Sequence, residues 1–194
     1  MKPAYKNSHQ DIIDQCKQGR PKAQFQLYRL YYKAMYNTSL RIVGNAGEAE
    51  DVMQEAFLSA FRKINDYKGE VSFGSWLKKI VINRSLDFVR GQRFNFQVID
   101  DQIRAIPDES SLTPEQPITI EELKQSIMNL PDKYRIVLSL NMLEGYDHEE
   151  IASILHISEA TSRSQLYRAR QKIKKQLSHS GKSGAIEKKA VRVS

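Results

Sequence analysis

The segment Glu149–Gln165, EEIASILHISEATSRSQ, constrains the fold of this chain more than any other. An amphipathic stretch, Glu149–Leu155, breaks at His156, Ile157 and Ser158, and a second periodic stretch then runs to Leu177. A short helix, a tight turn and a longer helix make a helix-turn-helix, whose second helix fits the DNA major groove. Ala152 is small where the two helices must cross closely, and Ile157 is an apolar plug for the turn. Ser158 can cap the second helix by accepting an orphan backbone N–H. Between Ala160 and Leu177 stand Arg163, Arg168, Arg170, Lys172, Lys174 and Lys175, with no acidic residue among them. Leu166, Ala169, Ile173 and Leu177 share one helical stripe, which turns much of that charge away from the core. The plainer alternative is a solvated basic face on an ordinary helix hairpin.

The rest of the chain narrows the choice. Its 194 residues suffice for one large or two small domains, and its formal net charge of +7 favours a polyanionic partner. One cysteine, Cys16, excludes an internal disulfide and a cysteine-type zinc site, and is read as a buried thiol. No apolar run approaches the length of a membrane span, and the N-terminus lacks a signal-peptide core. A cytoplasmic protein without membrane insertion is expected. No cofactor is expected either.

Helical periodicity dominates, so the expected class is all-α: two small helical domains joined by an acidic flexible linker. The pattern predicts helices over Gln10–Gln18, Lys22–Val43, Glu48–Asn65 and Ser75–Arg90, with a loop at Asp66–Gly74. Gly91 closes the first domain, residues 1–95. Residues 96–118 hold Asp100, Asp101, Asp108, Glu109 and Glu115 against Arg104, with Pro107, Pro114 and Pro117, and read as the linker. The second domain, 119–177, should open with a helix to Leu130. Pro131 starts the next helix, to about Glu144, and the helix-turn-helix follows. The basic, Gly/Ser-containing tail at 178–194 is expected to be disordered.

Two further constellations carry chemistry. On the third helix, Met53, Ala56, Phe57, Ala60, Phe61 and Ile64 form the core face, whereas Asp51, Gln54, Glu55, Leu58 and Arg62 lie elsewhere. Leu58 among charges is either a stray surface leucine or part of a docking surface for another protein's helices. The second is YKGEVSFGSWLKKIVINRSLDFVRGQR, which sets Tyr67, Phe73 and Trp76 beside Lys68, Lys78, Lys79, Arg84, Arg90 and Arg93. Rings beside cations suit single-stranded nucleic acid, because an unstacked base gains roughly 1–3 kcal/mol on a ring. Asn83, Asp87 and Arg90 share a helix face able to meet base edges or phosphates. Leu77 and Ile80 are read as core, while Trp76 fits either role.

With these residues in view, the chain resembles the bacterial RNA polymerase sigma factors of the extracytoplasmic-function (ECF) group over nearly all of residues 10–177. AEDVMQEAFLSAFRKI (Ala49–Ile64) is similar to the family's helix for the clamp helices of the polymerase β′ subunit. The segment from Tyr67 to Arg90 resembles its element for melting and reading the −10 promoter region. Leu130–Leu177 resembles its C-terminal domain, which reads the −35 element and touches the β flap. The resemblance implies a promoter-directing initiation factor whose partners are core RNA polymerase, promoter DNA and an anti-sigma factor. It assigns Asp51, Gln54, Glu55 and Leu58 to polymerase docking. It assigns Tyr67, Lys68, Phe73, Trp76, Asn83 and Arg90 to the −10 region, and Arg163, Ser164, Tyr167 and Arg168 to the −35 duplex. The linker would thread toward the polymerase active-site cleft and RNA exit path. Two positions depart from the family: His156 stands in the turn where glycine is common, and Ser162 lies on the core stripe where an aliphatic residue is usual.

A stand-alone helix-turn-helix regulator is the competing reading, but residues 1–95 lack the alternating strands and helices of a receiver domain. An enzyme fits less well still. Asp147-His148-Glu149-Glu150 is similar to the start of a zinc-protease helix, yet position 152 is alanine where the second histidine must stand. There is no Gly-rich phosphate loop and no nucleophile elbow.

Overall fold

The structure, a computed structural model, describes residues 8–92 and 118–190, with 179–190 as backbone only. Among the described residues every regular element is a helix. They fall into two compact units, one within Met1–Phe94 and one within Asn95–Ser194.

The first unit contains α1 (Gln10–Lys17), α2 (Pro21–Val43), α3 (Ala46–Arg62) and α4 (Phe73–Gly91). Local chemistry sets these bounds. Pro21 opens α2 at a position whose N–H has no helical partner in any case, and Gly44 ends it at φ +89. Asn45 caps α3, its side-chain oxygen accepting from the backbone N–H groups of Gly47 and Glu48 at 2.9 and 3.1 Å. Helices α2, α3 and α4 pack on one another, and α1 closes against α2. Ala49, Ala56 and Ala60 keep α3 thin where it meets its neighbours, and Leu27, Met35, Met53, Phe57 and Leu77 fill the space between. Each such large apolar side chain contributes about 1.5–3 kcal/mol on burial. Cys16 lies in this core as a free thiol, and burial pushes its pKa up to about 11.

The second unit contains α5 (Ile120–Met128), α6 (Asp132–Leu138), α7 (His148–Leu155) and α8 (Glu159–Ala190). Thr119 and Glu122 form a reciprocal cap on α5, and the hydrogen bonds from Thr119 hold the Glu122 carboxyl below its usual range. Asp147 and Glu150 repeat the device on α7, at 2.8 and 2.9 Å. Arg135 is buried on α6, where it donates to the Leu130 carbonyl at 3.2 Å and pairs with Asp132 at 2.5 Å.

Two elements differ from the periodicity. The helix expected to run from Pro131 to Glu144 is α-helical only to Leu138 and widens into a π turn at Ser139–Leu143, where the Glu144 N–H reaches the Ser139 carbonyl at 3.0 Å. Apolar spacing alone does not register a single extra residue in a turn. The last helix continues past Leu177 to Ala190, where Gly and Ser predicted none. Once a helix is nucleated, adding a residue costs little, and the lysines and alanines there are good helix formers. The expected linker, apart from Ile118, lies outside the described residues.

Candidate nucleic-acid interface

The helix-turn-helix is built from local signals. His156 sits at φ +55, ψ +46, the left-handed turn that its departure from glycine made costly. Its N–H returns to the Ala152 carbonyl and ends α7. Ser158 then starts α8, its hydroxyl accepting from the Thr161 N–H at 3.0 Å. Leu166 and Ala169 are buried against α6 and α7, and Ile173 and Leu177 are half-buried. Ser162 is fully buried on that stripe, and the structure gives the reason a hydroxyl is tolerated there. Its Oγ lies 2.8 Å from Nδ1 of His148, on the first turn of α7.

Opposite that stripe lies the expected reading face. Arg163 is 56 % exposed and pairs with Glu159 at 2.6 Å, a surface contact of low energy that a phosphate or base can replace. Ser164, Tyr167 and Arg168 are half-buried along the same helix, and the Ser164 hydroxyl donates to the Thr161 carbonyl at 2.9 Å. Further along, Lys172 is engaged within the fold: its ammonium lies 5.8 Å from the ring of Tyr134, which Lys133 also faces at 5.0 Å.

In the first unit the expected docking residues Asp51, Gln54, Glu55 and Leu58 are all exposed, Leu58 by 56 %. Phe57 is buried beneath them and Phe61 packs partly against the core. Tyr28 of α2 meets Phe57 at 4.9 Å and stacks on Tyr32 at 5.8 Å, so an aromatic chain links the buried face of α3 to the exposed ring of Tyr32 on α2. In the sequence analysis α2 received no site residue. Its usable signal was a helix with Lys22, Arg29, Lys33 and Arg41, several aromatics and no acidic residue.

The −10 constellation is rearranged by the structure. Phe73 and Tyr67 were expected to offer rings to nucleic acid, but they are 1 % and 3 % exposed. Phe73 is the first residue of α4 rather than part of the loop, and the start of the helix turns it inward against Tyr31, Tyr67 and Trp76, at 5.4–5.5 Å between ring centroids. Neither ring has a face left for a base in this arrangement. Gly74 likewise belongs to α4, where an added Cβ would lie 3.1 Å from the Tyr31 ring, so tight packing explains the glycine. Gly69, by contrast, has φ +75 and open space around it. Trp76 is half-buried, between cluster and solvent, and Lys68 and Asn83 are exposed. Arg90 pairs with Asp87 at 3.3 Å.

Comparison with known proteins places both units. The Sigma-70 region 2 family matches residues 27–94, and the Sigma-70 region 4 family matches residues 120–173. The ECF RNA polymerase sigma factor SigW of Bacillus subtilis is 30 % identical over 181 residues, covering 85 % of this chain and 94 % of SigW. This chain belongs to the ECF sigma factors. The ECF RNA polymerase sigma-E factor of Escherichia coli K12 is 31 % identical over 175 residues, covering 84 % of this chain and 91 % of that protein. The fold is shared with the sigma factor RpoE of Bartonella quintana, solved in complex with the anti-sigma factor NepR, at a TM-score of 0.50 and 20 % identity over 78 % of this chain and 94 % of that one. An ECF sigma factor is a transcription initiation factor. The region 2 match sets this one apart from a stand-alone helix-turn-helix regulator. Region 2 spans most of α2 and all of α3 and α4, and region 4 spans α5 to the middle of α8. Among the described residues no helix is long and apolar enough to cross a membrane.

Proposed function

We propose that this sigma factor carries core RNA polymerase to its promoters through three separate surfaces. The exposed face of α3, with Asp51, Gln54, Glu55 and Leu58, docks on the β′ clamp helices, and the aromatic surface of Tyr28 and Tyr32 extends it. The exposed face of α8, with Arg163, Ser164, Tyr167 and Arg168, reads the −35 duplex in the major groove. Lys68, Trp76, Asn83 and Arg90, around the loop before α4 and along that helix, meet the opened −10 strand. The domain limits follow: 1–95 for docking and melting, 96–118 as linker, 119–177 for −35 reading and the β flap. The site of action is the cytoplasm, and an anti-sigma factor is the proposed antagonist. No catalytic, cofactor or metal chemistry is assigned to the chain.

The observation that carries this reading is the cationic outer face of α8 set on a capped helix-turn-helix. Binding to promoter duplex across a salt series tests it. Arg163→Ala and Arg168→Ala should each weaken promoter binding by about 1–3 kcal/mol and relax base preference. Lys174→Ala should weaken all sequences alike and lower the salt slope by about one. Equal losses on promoter and random DNA for all three variants would overturn sequence reading by α8.

A further inference from the structure

The loop between the 3-10 turn Ile64–Asp66 and α4 is held from inside, in part by Lys17, to which no role has been assigned. The Tyr67 hydroxyl donates to the Val71 carbonyl at 2.6 Å and closes a bridge across the loop. From α1, fifty residues earlier in the chain, the Lys17 ammonium donates to the Tyr67 carbonyl at 3.0 Å and lies 5.7 Å from the centre of its ring. The ring itself is wedged by Phe73 at 5.5 Å and Trp76 at 5.4 Å. At the other end, Ser72 caps α4 by accepting from the Ser75 N–H at 3.1 Å. Between these anchors the tip projects: Lys68, Glu70 and Val71 are exposed, and Gly69 turns the backbone at φ +75. A ring that only filled the core could be phenylalanine. A lysine that only served solubility would not point its ammonium at a backbone carbonyl.

We propose that Lys17 and the Tyr67 hydroxyl are positioning residues that fix the shape of the 67–72 loop before DNA arrives. Tyr67 thereby moves from the surface that touches the strand to the frame beneath it, and α1 gains a role in promoter opening. The gain is preorganisation: a loop already in its working shape loses less freedom when it takes hold of an unstacked base. The inference rests on the reading that this loop engages the opened −10 strand.

Holoenzyme assembled from the full chain tests it, with permanganate reactivity of thymines near the start site as the readout. Tyr67→Phe removes one oxygen and keeps the ring. It should lower promoter opening roughly five- to tenfold, the cost of one partly buried hydrogen bond. Binding to duplex without opening should be unchanged, and transcription from a template with a pre-melted bubble should be near wild type. Lys17→Met, which keeps the stem and loses the ammonium, should do the same, and Lys17→Arg should restore much of the opening. Lys17→Met also serves as the deciding variant should Tyr67→Phe fail to fold. Opening at wild-type levels, or an equal loss on duplex and pre-melted templates, overturns the proposal. A tip variant, Lys68→Ala with Val71→Ala, separates the two layers of the argument. If it opens promoters normally, the loop does not engage the strand at all. If it is defective while Tyr67→Phe is not, only the positioning role falls.

Discussion

Deleting one oxygen atom from the recognition helix measures how α7 holds α8. Ser162→Ala removes a hydroxyl that is fully buried and 2.8 Å from Nδ1 of His148. An orphaned buried polar group costs about 1–3 kcal/mol. His148 is only half-buried, so water can reach part of the imidazole, and the expected loss sits near 1 kcal/mol. The reverse change, His148→Ala, strands a hydroxyl that no water reaches. That serine can still turn to the Ser158 carbonyl, one helical turn back, which limits the damage. It also loses the packing of an imidazole, so about 1.5–2 kcal/mol is expected. The double variant should therefore cost less than the two single changes added together, by about 1 kcal/mol. Two units make a single global transition a poor reference. Hydrogen exchange of the α7 and α8 amides reports the local free energy instead. Asparagine at 148 can place an amide near Nδ1 and should recover part of the loss. If the two single effects add to within about 0.3–0.5 kcal/mol, the contact holds nothing together and the reasoning fails.

Three other outcomes follow from the same structure. His156→Gly relieves a left-handed residue worth about 1–2 kcal/mol, against about 0.5–1 kcal/mol of added chain entropy, so the melting temperature of the second unit should rise slightly; a fall would mean the turn is unstrained. Leu58→Glu should abolish co-purification with core polymerase while helix content and melting stay within about 0.5 kcal/mol of wild type, because Leu58 is mostly exposed; unfolding would show that its face is core. Cys16 adds a pH dependence with a definite sign. Its folded pKa is raised from 9.0 to about 11, so its contribution is complete below pH 9 and is lost as pH climbs through 11. Denaturant melts at pH 8 and pH 10.5 should show a larger drop for wild type than for Cys16→Ala, and parallel drops would place the thiol in contact with water.

What the sequence disclosed, and what it hid, divides by the range of the interaction. The cap at Ser158, the turn at His156 and the two faces of α3 depend on neighbours within one or two turns, and the residue pattern carries them. Phe73 was misplaced because its inward direction depends on Tyr31, which is distant in sequence and adjacent in space. The same holds for Ser162, whose odd polarity was visible while its partner His148 was not. Lys17 gave no signal at all: a lysine at the end of a short helix looks solvated until the fold brings a carbonyl to it. The segment from Tyr67 to Arg90 was therefore legible as a unit, while the burial of Tyr67 and Phe73 within it was not.

The wide turn at Ser139–Leu143 has a consequence in the currency of insertions and deletions. Its backbone closes through bonds from the Glu144 N–H to the Ser139 carbonyl and from the Tyr146 N–H to the Leu140 carbonyl, both at 3.0 Å, and the Asn141 amide holds the Tyr146 carbonyl at 2.9 Å. A π turn accommodates one residue more than an α turn without breaking the helix. Losing a codon here would restore a regular helix and rotate everything after it by about 100°. Asp147, the cap of α7, would then leave its place, and the reading helix with it. Chain length is thus fixed in this turn by the cap and the two helices that follow it.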